Sequence, residues 1–486
     1  MKTNYDVIVI GAGSGGLTAA VGLVKVGKSV LLVEREHLGG ECTNSGCIPS
    51  KALLYHAKNY YSAVSISGTN GNTENFRREA LSYVRAKISA ILDHETPEHF
   101  KKNGIDVVMG EAIFTSLSSL TVNQTTYTFK KAVIATGSSP RMIEVPGLDA
   151  TKILTNQNLF TLEAIPARTL IVGAGPIGLE MGQALAMLGS SVTILDNRPI
   201  FAKLEDSALQ PIIKQSFTDL GITIVPEATL ASVAQNVATV STRDSDTTRT
   251  IQFDKVLVAI GRVPNMPQGL AEAAITATEF GITVNRNYRT SNRRVYALGD
   301  VAGKFKFTHT ADNAARGVVA HIASRGFISV KQTSVPKVTY TSPEIAQVGL
   351  SQQEALELFG ESAIFRIEVP FTSNDRAVTD SATSGLLVVL VRRLSGKILG
   401  AHLVGPHAGE ILAVFSVAID NNLSLWKLRR TTYAYPTYSL VIKKAGDIFF
   451  ATQVKNLRTD ISSILKNILP KIIIAVLWTS LLVYVW

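Results

Sequence analysis

Short apolar, β-branched runs, each followed by clustered glycines and then a small-residue helical stretch, set the rhythm of this chain. Residues 5–10, "YDVIVI", are one such run; "GAGSGG" and an Ala/Leu/Val-rich stretch follow. The pattern predicts a buried strand, a tight turn and a helix. A second strand, "SVLLVE", ends in Glu34. The same unit recurs in "TLIVGAGPIGLEMGQALAMLGSSVTILD", which ends in Asp196. "CIPSKALLYHA" predicts a further helix, and "SISGTNGNTEN" (65–75) a surface loop. The run "PKIIIAVLWTSLLVYVW" (470–486) follows neither period and carries no charge from Ile472 onward. As a helix that uncharged part reaches roughly 22 Å, short of a ~30 Å hydrocarbon core. Ile468 and Leu469, with Lys471 snorkelling, narrow the gap. Lys455, Arg458, Lys466 and Lys471 give the basic flank of a cytoplasmic juxtamembrane segment. The expectation is a C-terminal membrane helix that spans the bilayer, with the domains before it cytoplasmic.

The glycine spacing adds chemistry. Gly11, Gly13 and Gly16 fit G-x-G-x-x-G, as do Gly173, Gly175 and Gly178. The first glycine permits the turn, the second lets a pyrophosphate approach the backbone, and the third lets helix pack on strand. The helix N-terminus then presents unpaired N–H groups to the phosphates. Glu34 and Asp196 each stand 23 residues past the first glycine of their unit (34 − 11 and 196 − 173). A carboxylate there accepts hydrogen bonds from a ribose, so the chain binds two dinucleotides. Asp196 favours a free 2′-hydroxyl, hence NADH, while nearby Arg198 leaves NADPH admissible.

Length and charge narrow the class. A chain of 486 residues, 46% apolar, divides into two to four domains with real cores. Its two cysteines, Cys42 and Cys47, cannot staple something this large, which points to a reactive pair in a reducing compartment. The opening "MKTNYDVIVIGAGSGG" runs straight into strand and turn, without a secretory signal. The net charge of +10 is scattered and no groove-reading motif accompanies it, so no nucleic-acid partner is expected. No resident metal site is assigned.

Together with the doubled glycine unit, "GGECTNSGCIPSK" (39–51), "AVIATGSSP" (132–140), "AIGRVPN" (259–265), "VYALGDVAG" (295–303) and "TSPEIAQVGL" (341–350) make the chain resemble the pyridine nucleotide–disulphide oxidoreductase family over about residues 5–445. That resemblance implies FAD at the first glycine unit and NAD(P)H at the second. Cys42 and Cys47 straddle the start of a helix whose N-terminus favours a thiolate. The family assigns the flavin-facing sulphur to Cys47 and the interchange thiol to Cys42. Lys51, four residues past Cys47 on the same helical face, is implied beside flavin N5, paired with Glu180. Asp300 is implied at the FAD ribityl chain, Thr136 and Gly137 where backbone passes the flavin, and Ala112 at the adenine. His309 falls in the segment that brings a helix N-terminus to the flavin edge, and Gly261 matches a contact to the nicotinamide nucleotide.

One segment departs from the family. The disulphide reductases carry His-Pro-Thr-x-x-Glu, whose histidine shuttles a proton to the partner subunit's interchange thiol. Here the stretch reads "YAYPTYSL", with Tyr435 at the histidine position and Leu440 at the glutamate. A phenol with an ordinary pKa near ~10 is a poor base at neutral pH. Mercuric reductases also place tyrosine there, but carry an extra C-terminal cysteine pair absent here. The leading expectation is therefore a membrane-anchored, mercuric-reductase-like homodimer passing electrons from NAD(P)H through FAD and the cysteine pair to a small acceptor, a soft metal ion or quinone. The alternatives are a divergent dihydrolipoyl dehydrogenase or disulphide reductase, and a slow-turnover redox sensor. The expected fold is α/β: an FAD domain (1–148 and 281–335), an NAD(P) domain (149–280), both Rossmann-like, an α+β dimerisation domain (336–448), and a basic linker with membrane helix (449–486).

Overall fold

The computed structural model describes residues 2–67, 73–199, 206–243, 245–303 and 305–467. The chain forms two compact units, Met1–Lys203 with Lys214–Thr333, and Leu204–Ile213 with Ser334–Trp486.

The first unit is built on one mixed sheet and one parallel sheet. One runs in the order Ile105–Met109, Val30–Glu34, Asn4–Ile10, Thr125–Ile134, then continues antiparallel through Ser119–Val122 and Ile113–Ser116. Val295–Ala297 adds to it in parallel along Thr125–Ile134, so the chain returns to this sheet after building the other. The central strand, Asn4–Ile10, is apolar from Val7 to Ile10, where both of its faces are covered. Ile8 and Ile10 enter one core, with Phe114 and Phe129, while Val7 and Val9 enter the opposite one. That second core is closed by two helices, Ser14–Lys25 through Ala19, Ala20 and Leu23, and Thr308–Ala323 through Ala314, Ala315 and Val318.

The other sheet is parallel in the order Thr223–Val225, Ser191–Leu195, Arg168–Val172, Lys255–Val258, Ile153–Leu154. In each sheet a glycine turn follows the C-terminal end of a central strand and opens a helix, where open α/β sheets bind ligands. A short antiparallel pair, Ser138–Pro140 with Arg262–Pro264, fastens the segment after Thr125–Ile134 to the one after Lys255–Val258.

The second unit holds a five-stranded antiparallel sheet in the order Lys337–Thr339, Glu344–Gly349, Ile398–Gly405, Leu386–Arg392, Ile364–Pro370. Its core gathers Phe371 and Val389 from the sheet side with Leu412 and Phe415 of helix Ala408–Asp420, and Ile442 and Phe449 of helix Leu440–Asn467. Asp206, buried, pairs with Arg366 in this unit.

The expected membrane helix, and the membrane-associated location built on it, do not hold. Among the described residues no helix is long and apolar enough to cross a membrane, and 470–486 lie outside those residues. The long helix that approaches the C-terminus carries Lys443, Lys444, Asp447 and Lys455, and its apolar residues Val441, Ile442, Ala445 and Phe449 are spent on the core of the second unit. Residues 449–467, read from sequence as a linker, continue that helix. In the stretch 65–75, read as a loop, helices occupy 65–67 and 73–75, and residues 68–72 lie outside the described residues.

Candidate active site

The first glycine turn is built so that only glycine fits. Gly11 has φ +99°, and a Cβ on Gly16 would stand 1.8 Å from Gly11 O, so the helix packs directly on the turn. A Cβ on Gly13 would meet nothing nearer than Gly40 Cα at 3.9 Å, leaving the backbone open to a ligand. Glu34 sits beside this opening, its Oε2 accepting from Ala12 N at 2.6 Å. The second turn repeats the arrangement. Gly173 has φ +109°, a Cβ on Gly178 would stand 1.9 Å from Gly173 O, and Asp196 Oδ2 accepts from Ala174 N at 2.8 Å. In both units the strand-end carboxylate accepts from the residue between the first two glycines. Arg198, mostly exposed, turns back on Asp196, with Nε 3.5 Å from Oδ1. These two open turns, each with a helix N-terminus and a ribose-height carboxylate, fit two dinucleotides.

Cys42 belongs to a one-turn helix, Gly40–Asn44, and Cys47 opens the long helix Cys47–Ser67. Both are half-buried free thiols. Thr308, the first residue of helix Thr308–Ala323, places its Oγ1 3.4 Å from Cys42 Sγ and 3.3 Å from Cys47 Sγ. The pair divides its proton unequally. A hydrogen bond from Cys42, aided by Thr308 and the charge of Lys51, brings the Cys47 thiol down to about 6, against the opposing effect of burial. Cys42 goes the other way, because ionising it beside Cys47 costs its hydrogen bond and burial disfavours a second charge. The thiolate therefore sits on Cys47 and the proton on Cys42.

Lys51 Nζ lies 2.8 Å from Glu180 Oε2, and Glu180 is buried in helix Pro176–Met187. A lysine on the Cys47 helix thus meets a carboxylate from the second glycine unit. Asp300 Oδ2 accepts from Ser138 Oγ at 2.5 Å and lies 3.6 Å from Arg262 Nε. Thr136 Oγ1 donates to Asn265 O at 2.6 Å, and Gly137, with φ +69°, faces open space. Gly261, with φ +115°, also faces open space, and its carbonyl accepts from Arg141 N at 2.9 Å. The Ala112 side chain packs in the core with Phe114. His309 is exposed, with its ring stacked on Phe307 at 5.2 Å.

Tyr435 belongs to the second unit. It is 72% exposed, and its hydroxyl donates to Asp375 Oδ2 at 3.0 Å. That bond raises its pKa above the ordinary phenol value. Leu440 is the first residue of helix Leu440–Asn467.

Sequence reasoning missed Thr308, Arg262, Glu41, Ser138 and Asn156. Arg262 pairs with Glu41, the neighbour of Cys42, and Asn156 Nδ2 donates to Glu41 Oε1 at 2.5 Å. The signal lay inside stretches already singled out: Glu41 in "GGECT", Ser138 in "AVIATGSSP" and Arg262 in "AIGRVPN".

Two open dinucleotide turns beside a polarised cysteine pair define a flavin- and nicotinamide-dependent dithiol enzyme. Residues 5–315 match the pyridine nucleotide-disulphide oxidoreductase domain, and 335–445 match that family's dimerisation domain. The chain belongs to this family and is an FAD-dependent NAD(P)H oxidoreductase. It is 32% identical to the dihydrolipoyl dehydrogenase of Geobacillus stearothermophilus over 461 residues, 92% of this chain and 97% of that one. It is 33% identical to that of Staphylococcus aureus over 462 residues, 91% and 96% of the two chains. The Cu(II) complex of the HOCl-induced flavoprotein disulfide reductase RclA from Escherichia coli superposes with a TM-score of 0.81 at 25% identity, covering 92% of this chain and 100% of that one.

Proposed function

We propose that this protein is an NAD(P)H-dependent disulphide reductase whose electron outlet is the Cys42–Cys47 pair, acting as a homodimer through the family's dimerisation domain. The observation that carries the reading is the shared contact of Thr308 with both sulphurs, next to the Lys51–Glu180 ion pair. FAD would be held at the Gly11–Gly16 turn beside Glu34, where it would supply two-electron transfer between the nicotinamide and the cysteine pair. The residues of the chain do the rest. Lys51 holds a positive charge beside Cys47, and buried Glu180 fixes that charge in place. Thr308 and Cys42 stabilise the Cys47 thiolate, which leaves Cys42 as the protonated thiol. Cys42 must lose that proton to attack an incoming disulphide, since the thiolate is the nucleophile. In this reading Tyr435 stands where the family's proton carrier stands, and a phenol tied to Asp375 is a weak one. Disulphide turnover is correspondingly slow.

A second reading, reduction of a soft metal ion at the same thiols, is supported by the likeness to RclA, whose Cu(II) complex is solved. One experiment separates the two. NADH oxidation by the flavin-loaded protein is followed with lipoamide, oxidised glutathione, Cu(II) and a quinone, for the wild type and Cys42→Ser. The proposal expects disulphide-dependent turnover that Cys42→Ser abolishes. Turnover with Cu(II) alone favours the metal reading, and quinone reduction indifferent to Cys42→Ser removes the cysteine pair from the outlet.

A further inference from the structure

The helix that carries Cys42 has one turn, too short to hold its shape unaided. Two side chains from the second nucleotide unit grip it through Glu41. Asn156, buried just after strand Ile153–Leu154, donates one Nδ2 to Glu41 Oε1 at 2.5 Å and to Ser45 O at 3.2 Å, so it spans the turn. Arg262, next to Gly261, pairs with Glu41 Oε2. The same guanidinium donates to Ser138 O at 2.6 Å and Ser138 Oγ at 2.7 Å. Ser138 in turn holds Asp300 at 2.5 Å. The side chains of Arg262 and Glu41 are only 14% and 29% exposed, so water screens the pair weakly.

We propose that Glu41 is a positioning residue for the interchange thiol: anchored by Arg262 and Asn156, it keeps Cys42 within bonding reach of Cys47 and so sets the stability of their disulphide. The inference rests on the reading of the two cysteines as a redox pair. A disulphide's stability depends on the effective concentration of one sulphur at the other, and a turn released at Glu41 lowers it. The balance is a thiol–disulphide exchange. Oxidised glutathione loses its S–S bond as the Cys42–Cys47 bond forms. Two electrons pass from the cysteines to glutathione; Cys42 supplies one proton and solvent the other, since Cys47 is already a thiolate, and both protons end on the two glutathione thiols.

The test equilibrates flavin-loaded protein in glutathione redox buffers at fixed pH, traps free thiols by alkylation, and weighs the products. Glu41→Ala should weaken disulphide formation at least tenfold, a midpoint about 30 mV less negative for this two-electron couple. Glu41→Gln keeps the size and the Asn156 contact but loses the ion pair, and should shift part of the way. It carries the test if the alanine variant does not accumulate. Asn156→Ala should shift in the same direction, and combining it with Glu41→Ala should add less than the sum of the two shifts. A flavin-loaded Glu41→Ala or Glu41→Gln protein with the wild-type midpoint overturns the inference alone. A wild type that forms no disulphide in any buffer overturns the redox-pair reading and this inference with it.

Discussion

Thr308 Oγ1 lies 3.3 Å from Cys47 Sγ, although the two residues are separated by 261 positions in the chain. A hydroxyl there supports a thiolate by charge-assisted hydrogen bonding, worth about 1.5–3 kcal/mol. Thr308→Val removes the hydroxyl, keeps the branched shape and leaves the helix start otherwise intact. The Cys47 thiol, at about 6 in the wild type, should then rise by about one unit, the equivalent of about 1.4 kcal/mol. The pH profile of alkylation in the reduced protein reads this directly: thiolate reactivity at Cys47 should appear at higher pH in the variant. An unchanged profile would show that Cys42 and Lys51 stabilise the thiolate without Thr308.

Asp196 supports the second glycine turn, its Oδ2 accepting from Ala174 N, and on the proposed reading it would also bind the ribose. Asp196→Ala should lower kcat/KM for NADH about tenfold, the loss of one good hydrogen bond to a charged group. NADPH should suffer less, since the substitution also removes the repulsion of a 2′-phosphate. A wild type that prefers NADPH would place Arg198, now 3.5 Å from Asp196, in control of the pocket.

Acid stability offers a test away from the site. Asp6, at the first strand, accepts from Lys130 Nζ at 2.8 Å and from Ser29 N at 3.0 Å. The Lys130 bond, with help from Ser29, brings its carboxyl down to about 2, against about 3.9 in an unfolded chain. A depressed carboxyl contributes stability above the unfolded value and loses it as pH falls through the folded one. Lys130 is largely exposed, so screening leaves about 1 kcal/mol. Asp6→Asn should lower the melting temperature at pH 7, and the gap to wild type should narrow between pH 5 and 3. A gap that stays constant over that range would mean the carboxylate charge is not what stabilises this corner.

The two nucleotide turns were legible because backbone geometry dictates residue type there. At Gly11 and Gly16 any side chain collides with the turn, and Glu34 and Asp196 must follow at strand length. Cys47 and Lys51 were legible for a similar reason, since one helical turn fixes their shared face. Thr308, Glu41 and Arg262 were not. Their partners lie hundreds of residues away, and no local period announces which hydroxyl or guanidinium a fold will bring to a sulphur or its neighbour. The reading of the C-terminus erred differently. The basic residues before 470–486 read as a juxtamembrane flank, whereas the helix they stand on carries four charges by Lys455 and buries its apolar face in the second unit.

The weakest part of the proposed reaction is proton transfer to and from Cys42, and it gives the most decisive test. Exchange with a disulphide needs the attacking thiol deprotonated and the departing thiolate protonated. Cys42 is held protonated by its bond to Cys47, so a base has to be supplied. Tyr435 donates its hydroxyl to Asp375, which pushes its pKa further above neutrality, and Leu440 cannot titrate. General acid–base help is worth about 10²–10⁴ in rate. Tyr435→His with Leu440→Glu restores the family's residues at exposed or helix-terminal positions, where the fold tolerates them. Lipoamide and glutathione turnover should rise at least tenfold, with an optimum near the histidine's pKa, while reduction of an artificial quinone stays within twofold. Fast lipoamide reduction by the wild type, unchanged in the double variant, would mean that another group carries the proton, and the slow-exchange reading would fall.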